Sequence, residues 1–248
     1  MTNPAPVALI TGAARRIGAA IARALHSEGY RVILHCRAST AAAQALAQAL
    51  NETRPDSARV LSADLNQVGD LTAMAESALK VWGRIDALIN NASSFYPTPI
   101  GTGSEQHWDD LVGSNMKAPF FLAQALAPAL RETEGSIINI ADIYAERPLA
   151  NHTIYCMAKA GNVMLTKSLA QELAPQVRVN SVAPGAIIWP EQKSDFSESQ
   201  KQTILERIPL HRQGEAEDIA RTVVFLVAQA PYVTGQIIAV DGGRSLSI

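Results

Sequence analysis

Val7-Ala8-Leu9-Ile10-Thr11-Gly12-Ala13-Ala14-Arg15-Arg16-Ile17-Gly18 decides the fold. A short apolar run of strand formers stops at Thr11-Gly12, small residues turn the chain, and a helical pattern follows from about Ile17 to Glu28. Gly12 permits a tight turn, and Gly18 lets helix and strand pack closely. The free amides at the helix start suit a pyrophosphate. Arg15 and Arg16 oppose the helix macrodipole, at a cost of a few tenths of a kcal/mol that a nearby phosphate would offset. The bland alternative is a connector with two solvated arginines. The candidate cofactor contacts here are Gly12, Arg15, Arg16, Ile17 and Gly18.

The same alternation continues outward. Arg31–Leu34 reads as a strand and Thr40–Asn51 as a helix; Arg59–Leu61, Ala87–Ile89, Ser136–Ile140, Val177–Val182 and Gln236–Val240 read as further strands with helices between them. Strands alternating with helices give right-handed βαβ units. The expected fold is α/β: a single-domain, Rossmann-type, doubly wound parallel sheet of about seven strands, with helices on both faces. No linker cuts the chain, so residues 1–248 are read as one cofactor-binding reductase domain. The least regular stretch, Ile187–Gln200 with Trp189 and Pro190, is expected to be a substrate loop or lid, the alternative being a surface insertion.

Composition bounds the function. The 248 residues are 48% hydrophobic and 18% charged, as in a globular enzyme. A net charge of −2 supplies no basic field for nucleic acid. Two cysteines, Cys36 and Cys156, do not make a disulfide framework. The N-terminal apolar run is too short for a signal peptide or a membrane span. A cytoplasmic location is expected, with no membrane partner.

The end of the second strand speaks to the cofactor. Nicotinamide cofactors with a free 2′-hydroxyl usually meet a carboxylate there. This chain reads Leu34-His35-Cys36-Arg37-Ala38-Ser39. His35, Arg37 and the Ser39 hydroxyl suit a 2′-phosphate instead, so NADPH is the expected cofactor; a solvated basic loop is the alternative.

Tyr155 and Lys159 lie four residues apart, on one face of an expected helix. A nearby ammonium favours phenolate and should ease proton transfer at neutral pH. Asn90-Asn91-Ala92 follows the fourth strand, Asn115 is expected in the next helix, and Asp142 at the end of the fifth strand. Strand ends are where ligands bind in an open α/β sheet.

Thr11-Gly12 through Gly18, Asn90-Asn91-Ala92, Asn115, Tyr155-x-x-x-Lys159, Pro184-Gly185 and Asp241-Gly242-Gly243 together resemble the short-chain dehydrogenase/reductase family, over nearly the whole chain. The resemblance implies that Tyr155 donates a proton, that Lys159 binds the nicotinamide ribose, and that Asn115 supports a relay water. It puts Asp64 and Leu65 near the adenine, and Asn91, Ala92 and Ser93 along the cofactor. Pro184 and Gly185 would back the nicotinamide, and a homotetramer is the usual assembly. The apolar strand Ile237–Val240 would then pack at a two-fold interface, the alternative being that it is simply buried in its own sheet.

Three departures narrow the choice. Arg16 and Ser93 stand where the wider family has glycine, and Asp142 where it has a hydroxyl. With Asn90-Asn91-Ala92-Ser93-Ser94-Phe95-Tyr96-Pro97-Thr98-Pro99 they resemble the pteridine reductase branch. That implies a pterin stacked between the nicotinamide and Phe95, a ring that without the resemblance reads as loop packing. Arg16 and Ser93 would lie at its edge, Asp142 and Tyr155 at the reacting end, and Trp189 in the substrate loop. Some members of the branch also use a C-terminal arginine that reaches a neighbouring subunit's site; here the nearest is Arg244. Asp142 carries the chemical argument. An ionised carboxylate repels the alkoxide formed from a ketone but suits a ring nitrogen that gains a proton. The alternative is an Asp that caps the next turn. Two other functions stay open, a carbonyl or 3-oxoacyl reductase of the same fold and a non-catalytic NADP-binding sensor.

Overall fold

A computed structural model describes residues 5–187 and 198–247. Its centre is one all-parallel sheet of seven strands, in the order β3-β2-β1-β4-β5-β6-β7. These are β1 (Val7–Ile10), β2 (Arg31–Cys36), β3 (Ala58–Ser62), β4 (Ala87–Asn90), β5 (Ser136–Ile140), β6 (Arg178–Pro184) and β7 (Ile237–Val240). The helices are α1 (Arg16–Ser27), α2 (Thr40–Thr53), α3 (Val68–Trp82), α4 (Glu105–Val112), α5 (Ala118–Glu132), α6 (Thr153–Glu172), α7 (Glu198–Glu206) and α8 (Ala216–Val224).

The central strands read as continuous apolar runs because both faces are covered. Alternate side chains enter different cores. Ala8 and Ile10 of β1, Val32 and Leu34 of β2, and Ala87 and Ile89 of β4 pack with α1 and α8. Val7, Leu9, Ile33 and Leu88 pack on the other face with α3, α5 and α6. Helix α1 presents Ile17, Ile21 and Leu25 at helical spacing to its core, where α8 contributes Ile219 and Val223. Each fully buried Leu or Ile contributes roughly 1.5–3 kcal/mol.

The chain leaves β1 toward β2 on one side and reaches β4 on the other. The strand order therefore reverses between β1 and β4, and a crevice opens at their carboxyl ends. The glycine turn and Asn90-Asn91-Ala92 lie there.

Four expectations change. Strands β2 and β6 run two residues further than their patterns suggested, to Cys36 and Pro184. Asn115 lies in a π-helical turn, Gly113–Lys117, between α4 and α5. Asp142 lies two residues past β5 and caps a short 3₁₀ turn, Ile143–Ala145. Within the supposed loop 187–200, Ile187 makes an isolated bridge with Gly214, and residues 198–200 belong to α7. Trp189 and Pro190 lie outside the described residues.

Candidate active site

A cleft of about 450 Å³ opens at the switch between β1 and β4. Its lining includes Gly12, Arg15, Arg16, Ile17 and Gly18 from the first turn, and His35, Arg37 and Ser39 from the end of β2. Asp64, Leu65 and Asn66 after β3, and Asn91, Ala92 and Ser93 after β4, also line it. Gly12 has φ +63°, in the left-handed region. A Cβ on Gly18 would stand 2.2 Å from the Gly12 carbonyl oxygen, so only glycine fits. Asn91 locks the turn: its Nδ2 donates to the carbonyls of Thr11 at 2.9 Å and Gly12 at 3.1 Å. The Thr11 hydroxyl oxygen accepts the backbone N–H groups of Asn91 and Ala92. This rigid, small-residue cradle at the start of α1 fits a dinucleotide's pyrophosphate. Arg16 has φ +53°, an unfavourable backbone for a non-glycine residue. The glycine that the wider family has here would carry no such strain.

The end of β2 corrects one expectation. His35 does not offer a cation to a phosphate. Its ring is buried, Nδ1 accepts the Gly12 N–H at 3.2 Å, and Nε2 faces the Ala63 carbonyl at 3.2 Å. Those partners require a neutral ring with its proton on Nε2, and burial lowers its pKa. His35 therefore braces the glycine turn against the segment after β3. Arg37 is exposed and Ser39 half-buried. The Ser39 side chain makes no capping bond to α2.

Beyond Ser93, helix α6 brings Tyr155 and Lys159 to the same face, and both are nearly fully buried. The Tyr155 hydroxyl donates to Asp142 Oδ2 at 2.7 Å. Asp142 Oδ1 accepts the Tyr144 backbone N–H at 2.9 Å, so the carboxylate both caps the turn and holds the phenol. Lys159 Nζ donates to the Ile140 carbonyl at 2.7 Å and lies 5.7 Å from the Tyr155 ring centroid. Burial lowers the Lys159 pKa to about 8, against the opposing charge of Asp142. Burial also raises the Asp142 carboxyl above the usual carboxylate range.

Tyr155 departs from expectation. Its pKa is pushed well above that of a free phenol, first by burial and then by the Asp142 carboxylate, with a small opposing contribution from the Ser93 hydroxyl. The pair is a protonated phenol donating to Asp142, whose own carboxyl pKa burial also raises.

Asn115 is buried and fully committed. Its Nδ2 donates to the carbonyls of Ser94 and Leu111, both at 2.9 Å, and its Oδ1 accepts from Ser93 Oγ at 2.7 Å. Its own carbonyl accepts from Asn162 Nδ2 at 2.9 Å. Pro184 ends β6, and Gly185 lies so close to Asp241 that a Cβ would approach it to 2.5 Å. Neither residue belongs to the lining of the 450 Å³ cleft among the described residues.

Phe95 is 51% exposed. It meets the Tyr155 ring edge-on, with centroids 4.8 Å apart, and stacks on His152 at 4.8 Å and 15°. Sequence reading missed His152, whose only signal was its place one turn before Tyr155. It also missed where Arg244 reaches. Arg244 Nη2 donates to the Tyr144 hydroxyl of its own chain at 2.9 Å, and its charge bears on Asp142.

These features define a Rossmann-type α/β fold with a cleft at its strand switch. A family model described as Enoyl-(Acyl carrier protein) reductase matches residues 12–245, and the chain belongs to the short-chain dehydrogenase/reductase family. It is an oxidoreductase, of a family whose reductases bind a nicotinamide cofactor. It is 41% identical to Pteridine reductase 1 of Leishmania tarentolae, over 99% of both chains. It is 37% identical to the 3-oxoacyl-[acyl-carrier-protein] reductase FabG of Staphylococcus aureus, over 95% of this chain and 96% of that one. It is also 36% identical to the Granaticin polyketide synthase putative ketoacyl reductase 2 of Streptomyces violaceoruber, over 98% of this chain and 97% of that one. No helix among the described residues is long and apolar enough to cross a membrane.

Proposed function

We propose that this oxidoreductase reduces pterins with NADPH, as a single cytoplasmic domain. The bond from Tyr155 to Asp142 carries the reading. A ketone reductase must stabilise a developing oxyanion. A carboxylate directly behind the proton donor opposes that charge. Reduction of a ring C=N can instead begin with protonation of the more basic nitrogen, so that the hydride meets an iminium carbon and no anion builds up.

The nicotinamide supplies the hydride when bound. The chain's own residues position the substrate and move the proton. Phe95, half-exposed and braced by His152, offers a flat face for an electron-poor bicycle. Arg16 and Ser93 line the adjoining cleft and would meet the pterin edge, Arg16 also meeting cofactor phosphate. Tyr155 and Asp142 act as one donor unit, and the Tyr155 proton goes to the ring nitrogen beside the carbon that gains hydride. Burial keeps Tyr155 protonated until that moment. Lys159 holds the nicotinamide ribose and balances the Asp142 charge. Asn115 fixes Ser93 beside the phenol. Pro184 and Gly185 back the nicotinamide, and Trp189 contributes to the substrate side.

Arg37 and Ser39 meet the 2′-phosphate, which favours NADPH over NADH. Asp64, Leu65, Asn91 and Ala92 enclose the adenosine. A homotetramer is the proposed assembly; β7 is the half-exposed apolar edge of the sheet, which a second copy would cover, and a light-scattering mass reads this directly. The test of the whole reading is steady-state turnover of pterins against 3-oxoacyl substrates. The similarity to ketoacyl reductases makes the latter the competing activity.

A further inference from the structure

Asp110, on α4, lies outside the catalytic group. Three side chains from separate segments converge on its carboxylate. Asn66 Nδ2 donates to Oδ1 at 3.1 Å, Arg37 Nη1 lies 3.9 Å from the same oxygen, and the Tyr96 hydroxyl donates to Oδ2 at 3.0 Å. Arg37 and Asn66 border the adenosine end of the cleft. Tyr96 is the neighbour of Phe95.

The other neighbour of Phe95 is tied to the same turn. Ser114 Oγ donates to the Asp110 carbonyl at 2.9 Å and accepts the Ser94 N–H at 3.1 Å. Phe95 is thus bracketed by two ties to the segment Asp110–Ser114, one of them ending on the carboxylate that faces Arg37. Gly113 lets this segment approach closely, since a Cβ there would stand 2.3 Å from Asn66 Oδ1.

We propose that Asp110 is a positioning residue that couples binding of the cofactor's 2′-phosphate at Arg37 to the ordering of the Phe95 loop. NADP(H) then prepares the substrate face more than NAD(H) does. The inference rests on the reading above, in which Arg37 meets the 2′-phosphate. A 2′-phosphate is a stronger acceptor for a guanidinium than a partly buried carboxylate 3.9 Å away. As Arg37 turns to it, Asp110 keeps only neutral donors. Its charge is then less neutralised, and its bond from Tyr96 strengthens. The donor is always present, because burial and Asp110 raise the Tyr96 pKa to about 12. Coupling through a shared group is reciprocal, so a substrate on Phe95 favours NADP(H) in the same ratio.

Hydrogen exchange read by mass spectrometry tests this on the whole protein, saturated with NADP⁺ or with NAD⁺. In the wild type, the amides of residues 93–96 and 98 should exchange about fivefold or more slowly with NADP⁺, the lower end of typical coupling. Asp110→Asn and Tyr96→Phe should each erase the difference. Tyr96→Phe removes one hydroxyl and serves alone should Asp110→Asn not fold. Equal protection by both cofactors in the wild type, or a difference that survives Tyr96→Phe, overturns the proposal. The comparison needs no pterin, so a failure to reduce pterins would sink the substrate assignment and leave this result to stand.

Discussion

The Tyr155 hydroxyl donates to Asp142 Oδ2 at 2.7 Å, while the other carboxylate oxygen holds the Tyr144 backbone N–H at 2.9 Å. One residue therefore serves the fold and the proton donor at once. Asp142→Asn separates the two roles, because an amide oxygen still accepts the Tyr144 N–H while the charge is lost. We expect pterin turnover to fall by roughly 10²-fold, the scale of general acid catalysis, with NADP⁺ affinity and thermal midpoint little changed. Single-turnover rates and cofactor titration check it; near-native turnover would leave Asp142 as a cap only.

Lys159 sets the pH limit. Burial lowers its pKa to about 8, so it is a cation below that pH and neutral above it. Burial keeps the Tyr155 phenol protonated through the same range. Reduction should therefore hold steady below about pH 8 and decline above it. In Lys159→Arg the cation persists at all these pH values, so whatever activity remains should lose that alkaline limb. A wild-type profile that stays flat well beyond pH 8 would refute this assignment.

Sequence and structure agree where one signal was strong. Ser136–Ile140 was readable to the residue, because it is an apolar run bounded by glycine on one side and a polar turn on the other. The ends of β2 and β6 were not, since His35-Cys36 and Ala183-Pro184 look like turn residues until their neighbours pair with them. Tyr155, Lys159 and Asp142 were legible as a set from spacing and resemblance. The upward shift of the Tyr155 pKa was not, because burial and the Asp142 carboxyl drive it and burial is a property of the fold. His35 misled for the same reason. A histidine beside Arg37 reads as basic, yet both ring nitrogens are spent on the backbone. Asp110 carried no signal, since its partners at 37, 66 and 96 meet only in three dimensions.

Arg37 is the exposed cation at the end of β2. Arg37→Ala should lower kcat/KM for NADPH by the worth of one charge-assisted bond, on the order of 1.5–3 kcal/mol, and barely alter that for NADH. Comparable kcat/KM for the two cofactors in the wild type would remove the 2′-phosphate contact from the account.

Phe95→Ala removes the exposed ring between His152 and the edge of Tyr155. The pterin KM should rise by roughly tenfold, about the loss of one aromatic stacking contact and its buried area. NADPH affinity should stay the same, because Phe95 is not part of the dinucleotide cleft. An unchanged pterin KM would mean that the ring only packs its own loop.

The central claim is that a carboxylate behind the proton donor selects a ring nitrogen over a ketone. It is tested most directly by kcat/KM with saturating NADPH, measured side by side for a dihydropterin and an acetoacetyl thioester. The account predicts that the wild type favours the pterin by about 10²-fold or more, and that Asp142→Ser narrows the gap, losing pterin turnover. A wild type that reduces the thioester as well as or better than the pterin would contradict it.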